Sequence, residues 1–152
     1  SQLGEDKQEE MSKNLERYSL YEAYEVRQVL ETKAMDLIVR NATDSDLDEI
    51  ETAYQTMLLR FVETNTTTGE FELHQLYAKK TGSVFMEQTL NIVLSTILEM
   101  MHTTSHNVMD MHQVEEEKAD HRRIIDALHK RDSSAAQQAM YDHIQHTLDI
   151  LQ

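Results

Sequence analysis

The sequence predicts an all-α fold, an antiparallel bundle of six or seven helices. Its 152 residues include no proline and only three glycines, so the residues that usually interrupt helices and form tight turns are nearly absent. Few stretches alternate apolar and polar side chains as a half-buried strand would. A chain of this length forms one domain with a sizeable core, and its short connections favour antiparallel neighbours.

The chain opens with a charged segment and continues into a long helix. Residues 1–17 carry few apolar side chains and predict a linker or N-terminal arm, followed by a helical domain over residues 18–152. From about Ser19 to Val39, apolar side chains recur at intervals of three, four and seven residues. This spacing predicts the first helix of the domain, with one buried face.

Two further helices follow in order. A break near residue 41 precedes a Thr-Asp pair at 43–44, either member of which suits the N-cap of the second helix. That helix ends in the polar segment 64–69. The third helix is predicted from about Glu70 to Lys80 and stops at Gly82, a residue suited to a helix C terminus.

The second half of the chain predicts three more helices. Residues 84–101 are the most apolar segment and predict a central helix of the bundle. After residues 103–107, where the helical signal is weaker, another helix continues to about Lys130. The Asp-Ser-Ser sequence at 132–134 predicts a turn and N-cap, and the last helix runs from Ala135 to the end.

Charge and composition exclude several functions. A net charge of -14 argues against direct contact with nucleic acid, which needs clustered Lys and Arg. The absence of cysteine excludes disulfides and thiolate metal sites. No apolar run approaches the ~18 residues of a membrane span, so no membrane partner is expected. Because the chain starts at Ser1 rather than methionine, we expect a piece of a longer protein.

Four side chains predict a metal site inside the bundle. Glu70 and His74 stand four residues apart on an apolar helix, so both lie on one face of it. His121 and His143 each lie on the apolar stripe of a helix, and each is eleven residues from Asp132. In an antiparallel pair, this places both imidazoles at the same level, roughly 16 Å from the turn.

Three imidazoles and one carboxylate suit Zn²⁺, Ni²⁺, Fe²⁺ or Mn²⁺, with positions left for water or a ligand. We expect Zn²⁺ first. A second candidate metal pair is His102 and His106, at the HxxxH spacing near a helix end. The remaining histidines are expected on the surface: His112, His129 and His146.

Short motifs occur in order from about Tyr21 onward. They are EVRQVLE at 25–31, NATDSDLDEI at 41–50, ExxLH at 70–74 before a TGS turn, DHRRIIDALHKRD at 120–132 and AAQQAMYDHI at 135–144. At these spacings, the chain resembles the FCD effector domain of GntR-type bacterial transcription regulators, in the FadR-like branch. The resemblance covers nearly the whole chain.

The resemblance implies the same four metal ligands, although the family usually has Asp at the position of Glu70. It also implies that Arg27, in an R-x-x-x-E motif with Glu31, and Ser83 contact the carboxylate of a small organic-acid effector. The guanidinium fork suits that role, whereas the family usually has Asn at Ser83. The competing accounts are an exposed Arg27–Glu31 salt bridge and, for Glu70, a carboxylate stabilised by the helix dipole.

The resemblance further implies a cytoplasmic homodimer that is not an enzyme and that senses a small carboxylate. DNA would be bound only by a winged helix-turn-helix head outside this chain. Two other functions stay open. One is a mononuclear metalloenzyme built in a helical bundle. The other is a metal-independent bundle that binds an apolar or acyl ligand, with the nine methionines as an adaptable lining.

Overall fold

The fold was analysed in a computed structural model that describes residues 2–64, 68–104 and 111–152. These residues form six helices and no strand, and the predicted all-α bundle is confirmed. The helices are α1 (Gln2–Asn41), α2 (Asp44–Thr64), α3 (Thr68–Lys80), α4 (Val84–Thr104), α5 (Met111–His129) and α6 (Ser133–Leu151). The segment 103–107, where the helical signal in the sequence is weaker, is helical through Thr104, and its remainder lies outside the described residues.

Helix α1 begins at Gln2, whereas the sequence predicted a helix only from about Ser19. The added segment is rich in Glu, Gln and Lys, which favour helices through their own backbone preference. Its described side chains are exposed, and Leu20 is the first of the described apolar side chains in this helix to be buried. Apolar periodicity detects only a helix with a buried face, so a solvated extension gives no such signal.

The other helices begin and end within three residues of the predicted limits, and local capping explains several of these limits. Thr43 Oγ1 accepts from the backbone N–H of Asp46 (3.1 Å), and Asp46 Oδ2 accepts from the N–H of Thr43 (2.9 Å). This reciprocal capping box starts α2 and confirms the predicted cap. Gly82 has a φ of 71°, the left-handed conformation that glycine adopts most easily, and separates α3 from α4.

The connection between α5 and α6 is tight. Arg131 has a φ of 51°, and its N–H donates to the carbonyl of Leu128 (2.9 Å) while the N–H of Asp132 donates to that of Ala127 (3.0 Å). This pair of bonds is the Schellman pattern. Asp132 Oδ1 then accepts from the N–H of Ala135 (3.1 Å) and caps α6, as predicted.

Helix α1 is the packing centre, since it contacts α3, α4, α5 and α6, while α2 packs on α3 and α5. All six helices contribute buried apolar side chains to the main core. A group of buried polar residues lies among them: Arg27, Glu31, His74, Asp120, His121 and His143. In the described ranges, no helix combines the length and apolar character needed to cross a bilayer.

Candidate metal centre

Three helices bring the four predicted side chains together. Glu70 and His74 come from α3, His121 from α5 and His143 from α6. One ligand atom from each lies within 4.8 Å of all the others. The three histidines are buried, and the Glu70 side chain is 18 % exposed.

The histidine Nε2 atoms converge on the Glu70 carboxylate. Glu70 Oε1 is 3.1 Å from Nε2 of His143, 3.2 Å from that of His74 and 3.8 Å from that of His121. The Nε2 atoms of His74 and His143 are 3.3 Å apart. Ligand atoms about 2.0 Å from a tetrahedral ion are about 3.3 Å from one another. The spacing of these four side chains therefore suits one divalent ion.

The ring positions confirm the argument from the α5–α6 turn. The imidazole centroids of His121 and His143 are 4.5 Å apart. The His74 ring lies 5.1 Å from that of His121 and 5.3 Å from that of His143. Equal distance from Asp132 along two antiparallel helices thus placed two histidines at one level.

Each histidine holds a fixed partner on its other ring nitrogen, Nδ1. The pairs are His74 with Glu31 Oε1 (2.5 Å), His121 with the Tyr77 hydroxyl (2.9 Å) and His143 with Asp120 Oδ2 (3.0 Å). The carboxylate partners of His74 and His143 accept a proton from Nδ1 and leave the Nε2 lone pair free for a metal, and the Tyr77 hydroxyl can accept from Nδ1 of His121 in the same way. All three Nε2 atoms are therefore oriented as ligands.

One buried atom in the cluster lacks a partner that a cation would supply. His121 is fully buried, and among the described residues its Nε2 has no hydrogen-bond partner. Leaving a buried polar atom unpaired costs about 1–3 kcal/mol. A metal ion at the point of convergence would satisfy this nitrogen, so the donor set fits a divalent cation.

The electrostatic surroundings favour positive charge in the cluster. Burial raises the pKa of Glu70, but the nearby imidazoles of His121, His143 and His74 outweigh burial and hold that pKa well below its usual value. Burial lowers the pKa of His143, yet the carboxylates of Glu117, Asp120 and Glu70 raise it well above its usual value. Positive charge is thus stabilised where the metal is predicted.

Arg27 lies beside the cluster. Its side chain is 8 % exposed, its Nε donates to Glu31 Oε2 at 2.7 Å, and its Nη2 is 4.0 Å from Glu70 Oε1. The alternative Arg27–Glu31 salt bridge therefore exists, but it is buried rather than exposed. Burial raises the pKa of Glu31, while His74 and Arg27 outweigh burial and lower it to about 2. Contact of Arg27 with an effector stays a prediction.

Glu70 lies in the first turn of α3, where the helix dipole also favours a carboxylate. The dipole account of Glu70 is therefore compatible with the metal-ligand account.

Ser83 has a structural contact in the described part of the chain. Its Oγ accepts from the backbone N–H of Met86 (3.2 Å) and thereby caps α4. The predicted contact between Ser83 and an effector stays a prediction.

The other histidines divide into three cases. His129 is exposed, as predicted. His146, also predicted at the surface, is half-buried, and its Nδ1 lies 2.9 Å from Asp120 Oδ2 and 3.1 Å from Glu116 Oε1. The prediction missed this because Asp120 lies on α5, one helix away. The side chains of His102, His106 and His112 lie outside the described residues.

Sequence reasoning also missed Glu117. This residue stands four positions before His121, the same spacing as Glu70 before His74, so a second E-x-x-x-H pattern was available. Its Oε2 lies 3.5 Å from His121 Nε2 and 3.8 Å from His143 Nε2. Intrahelical spacing alone therefore pointed to a further carboxylate at this site.

Comparison with known families gives one match over most of the chain: the FCD domain matches residues 22–146. No curated protein sequence matches significantly.

Two solved structures have a similar fold. Streptococcus agalactiae GntR is 21% identical with a TM-score of 0.73, over 86% of this chain and 58% of that one. E. coli McbR/YncC is 16% identical with a TM-score of 0.70, over 86% of this chain and 66% of that one. The chain thus spans less than two thirds of either structure, and these low identities indicate a shared fold alone.

Proposed function

The chain belongs to the FCD domain family, and on that premise we propose that it is the effector-binding domain of a GntR-type transcription regulator. The proposed domain holds one divalent metal ion and binds a small organic acid next to it. The FCD match over residues 22–146 and the fold shared with Streptococcus agalactiae GntR support this assignment.

The observation that carries the metal proposal is the convergence of three Nε2 atoms on one carboxylate. The proposed ligands are Glu70, His74, His121 and His143. Zn²⁺ is the first candidate, with Ni²⁺, Fe²⁺ and Mn²⁺ as alternatives. A bound ion of this type acts as a Lewis acid that attracts a carboxylate oxygen. The Nδ1 partners hold the rings in place for it.

Arg27 is the proposed second anchor for the organic acid. Its buried guanidinium lies 4.0 Å from Glu70 Oε1, next to the cluster. Two N–H groups of a guanidinium can bind both oxygens of a carboxylate. Ser83 stays a proposed additional contact. The effector is thus expected to be a small mono- or dicarboxylate or sugar acid.

The proposed consequence of effector binding is a change in DNA binding. We assign DNA binding to a separate winged helix-turn-helix head, because the net charge of -14 does not favour contact of this domain with phosphates. The domain is proposed to form a homodimer, and effector binding would change how the two protomers are arranged. No catalytic step is assigned to it.

Metal analysis of the untagged protein tests the proposed site. We expect about one divalent ion per chain in the wild type. His121→Ala should lose the ion because it removes a ligand, while His129→Ala, a change at an exposed histidine, should retain it. Equal metal content in wild type and His121→Ala would contradict the four-residue site.

Thermal shift with a panel of small carboxylates tests the effector site. A binding acid should raise the melting temperature of the wild type, since a ligand of the native state stabilises it. Arg27→Ala should lose this shift and keep the metal. Arg40→Ala is the matched control, because Arg40 lies on the same helix with its side chain 56 % exposed. An unchanged shift in Arg27→Ala would remove Arg27 from the effector site.

A further inference from the structure

Glu117 is a carboxylate that the four-residue site does not use. It lies on α5 one turn before His121, so both side chains lie on the same face of the helix. Its side chain is only 12 % exposed. Its Oε2 atom is buried, and it has no hydrogen-bond partner in the described part of the chain.

Two unpaired buried atoms therefore face each other in this cluster. Glu117 Oε2 and His121 Nε2 both lack partners among the described residues, and they are 3.5 Å apart. Buried polar atoms in native proteins are nearly always satisfied. A histidine must present a deprotonated nitrogen to a metal. With Nε2 of His121 in that form, both atoms present lone pairs, and a cation between them satisfies both.

We propose that Glu117 is a fifth ligand of the metal, in the position that an external carboxylate would otherwise take. This inference rests on the proposed metal site and deepens it. The E-x-x-x-H pairs on α3 and α5 would each supply one carboxylate and one imidazole, and α6 would supply the last imidazole.

If Glu117 binds the metal, the charge balance of the centre affects how an organic acid can bind. The carboxylates of Glu70 and Glu117 together neutralise a divalent ion that is otherwise bound by neutral imidazoles. With Glu117 bound, the ion has no excess charge with which to attract an organic acid. In a five-coordinate centre, an acid that binds the metal takes the position of Glu117, which releases a side chain of α5 from the centre. Carboxylate exchange is thus the proposed first step of sensing.

The test compares Glu117→Gln with wild type, using Co²⁺ as the metal and acetate as the carboxylate. Glu115→Gln is the matched control, since it removes the same charge from α5 at a side chain that is 63 % exposed. Chelator competition should show at least about a tenfold loss of Co²⁺ affinity in Glu117→Gln. The control should retain wild-type affinity.

Acetate provides an independent readout through the visible absorption of bound Co²⁺, which responds to the number of ligands. Acetate should change this spectrum at a lower concentration in Glu117→Gln than in wild type, because the variant leaves a position open. Circular dichroism verifies that the variant is folded. Wild-type affinity together with a wild-type acetate response in Glu117→Gln would overturn the proposal.

The two proposals fail in different ways. Loss of Co²⁺ in His121→Ala with no effect of Glu117→Gln keeps the four-residue site and removes the fifth ligand. If the wild type binds no Co²⁺, both proposals are overturned.

Discussion

Asp120 joins several side chains at the edge of the candidate metal centre. Its Oδ2 accepts from Nδ1 of His143 (3.0 Å) and lies 2.9 Å from Nδ1 of His146, while its Oδ1 accepts from Arg123 Nη2 (2.5 Å). Burial raises the pKa of Asp120, but these histidines outweigh burial and lower it. A buried anion therefore orients the His143 ring.

We predict that Asp120→Asn weakens metal binding about 10- to 100-fold, since loss of the anion reduces the basicity and fixed orientation of the His143 ring. Chelator competition on the purified variant measures this change. Asp126→Asn is the control, because Asp126 is on the same helix with a side chain 56 % exposed. Equal affinities in Asp120→Asn and wild type would mean that Asp120 does not support the metal.

The sequence predicted the four central residues of this site but not the residues that surround them. Spacing within one helix determines which side chains share a face, and this was enough to group Glu70 with His74. The contact between Asp120 and His143 depends on the rotation of α5 relative to α6. That rotation follows from packing of the whole bundle, so sequence spacing does not reveal it.

At the scale of helices, an ion pair connects α2 to α5. Arg122 donates from Nη1 to Glu51 Oε2 (3.0 Å) and from Nη2 to Glu51 Oε1 (2.6 Å). Hydrogen bonds from Arg122 outweigh partial burial and lower the pKa of Glu51 to about 2. The folded state therefore favours the ionised form of this carboxylate.

We predict that this pair stabilises the protein in a pH-dependent way. Because the folded pKa lies below the unfolded value, the contribution is complete above about pH 4.5 and is lost as the pH falls towards about 2. Both side chains are partly exposed, so Glu51→Gln should cost only about 0.5–1 kcal/mol near neutral pH.

Urea unfolding of the wild type and Glu51→Gln at about pH 6 and about pH 3 tests the direction of this pH dependence. The difference in unfolding free energy should shrink at the lower pH. Glu25→Gln, at an exposed position of α1, controls for loss of one negative charge. A difference that stays constant or grows on acidification would contradict the prediction.

Helix limits were predictable where a cap defines them. Thr43, Gly82 and Asp132 each have a residue type that suits its backbone position, and the helices end or begin beside them. The start of α1 was not predictable in this way, since its first turns expose their described side chains to solvent. Backbone preference without a buried face gives only a weak signal in a single sequence.

In the molecule as a whole, α1 packs against four other helices, and α2 packs against α3 and α5. The sequence predicted a bundle but not this arrangement, because several pairings satisfy the same apolar stripes. The short connections predicted antiparallel neighbours, and on that basis the matched positions of His121 and His143 predicted that their side chains lie at one level of the α5–α6 pair. Long-range packing decided the rest, including the approach of Glu31 on α1 to His74 on α3.

A metal at this centre would connect α3 to the hairpin of α5 and α6. We therefore predict that chelation lowers the melting temperature. A ligand of the native state at a hundred times its dissociation constant adds about 2.7 kcal/mol to stability. For a domain of this size, that corresponds to a decrease of roughly 5–10 °C when the metal is removed.

Calorimetry with and without chelator measures this effect. The decrease should depend on metal concentration and reverse when metal is restored, because it follows mass action. His121→Ala should melt at the same temperature with or without chelator, since it lacks the ion. If the melting temperature of the wild type is also unchanged by the chelator, the ion does not couple the three helices. The packing of α1 against its neighbours would then stabilise the bundle without help from the site.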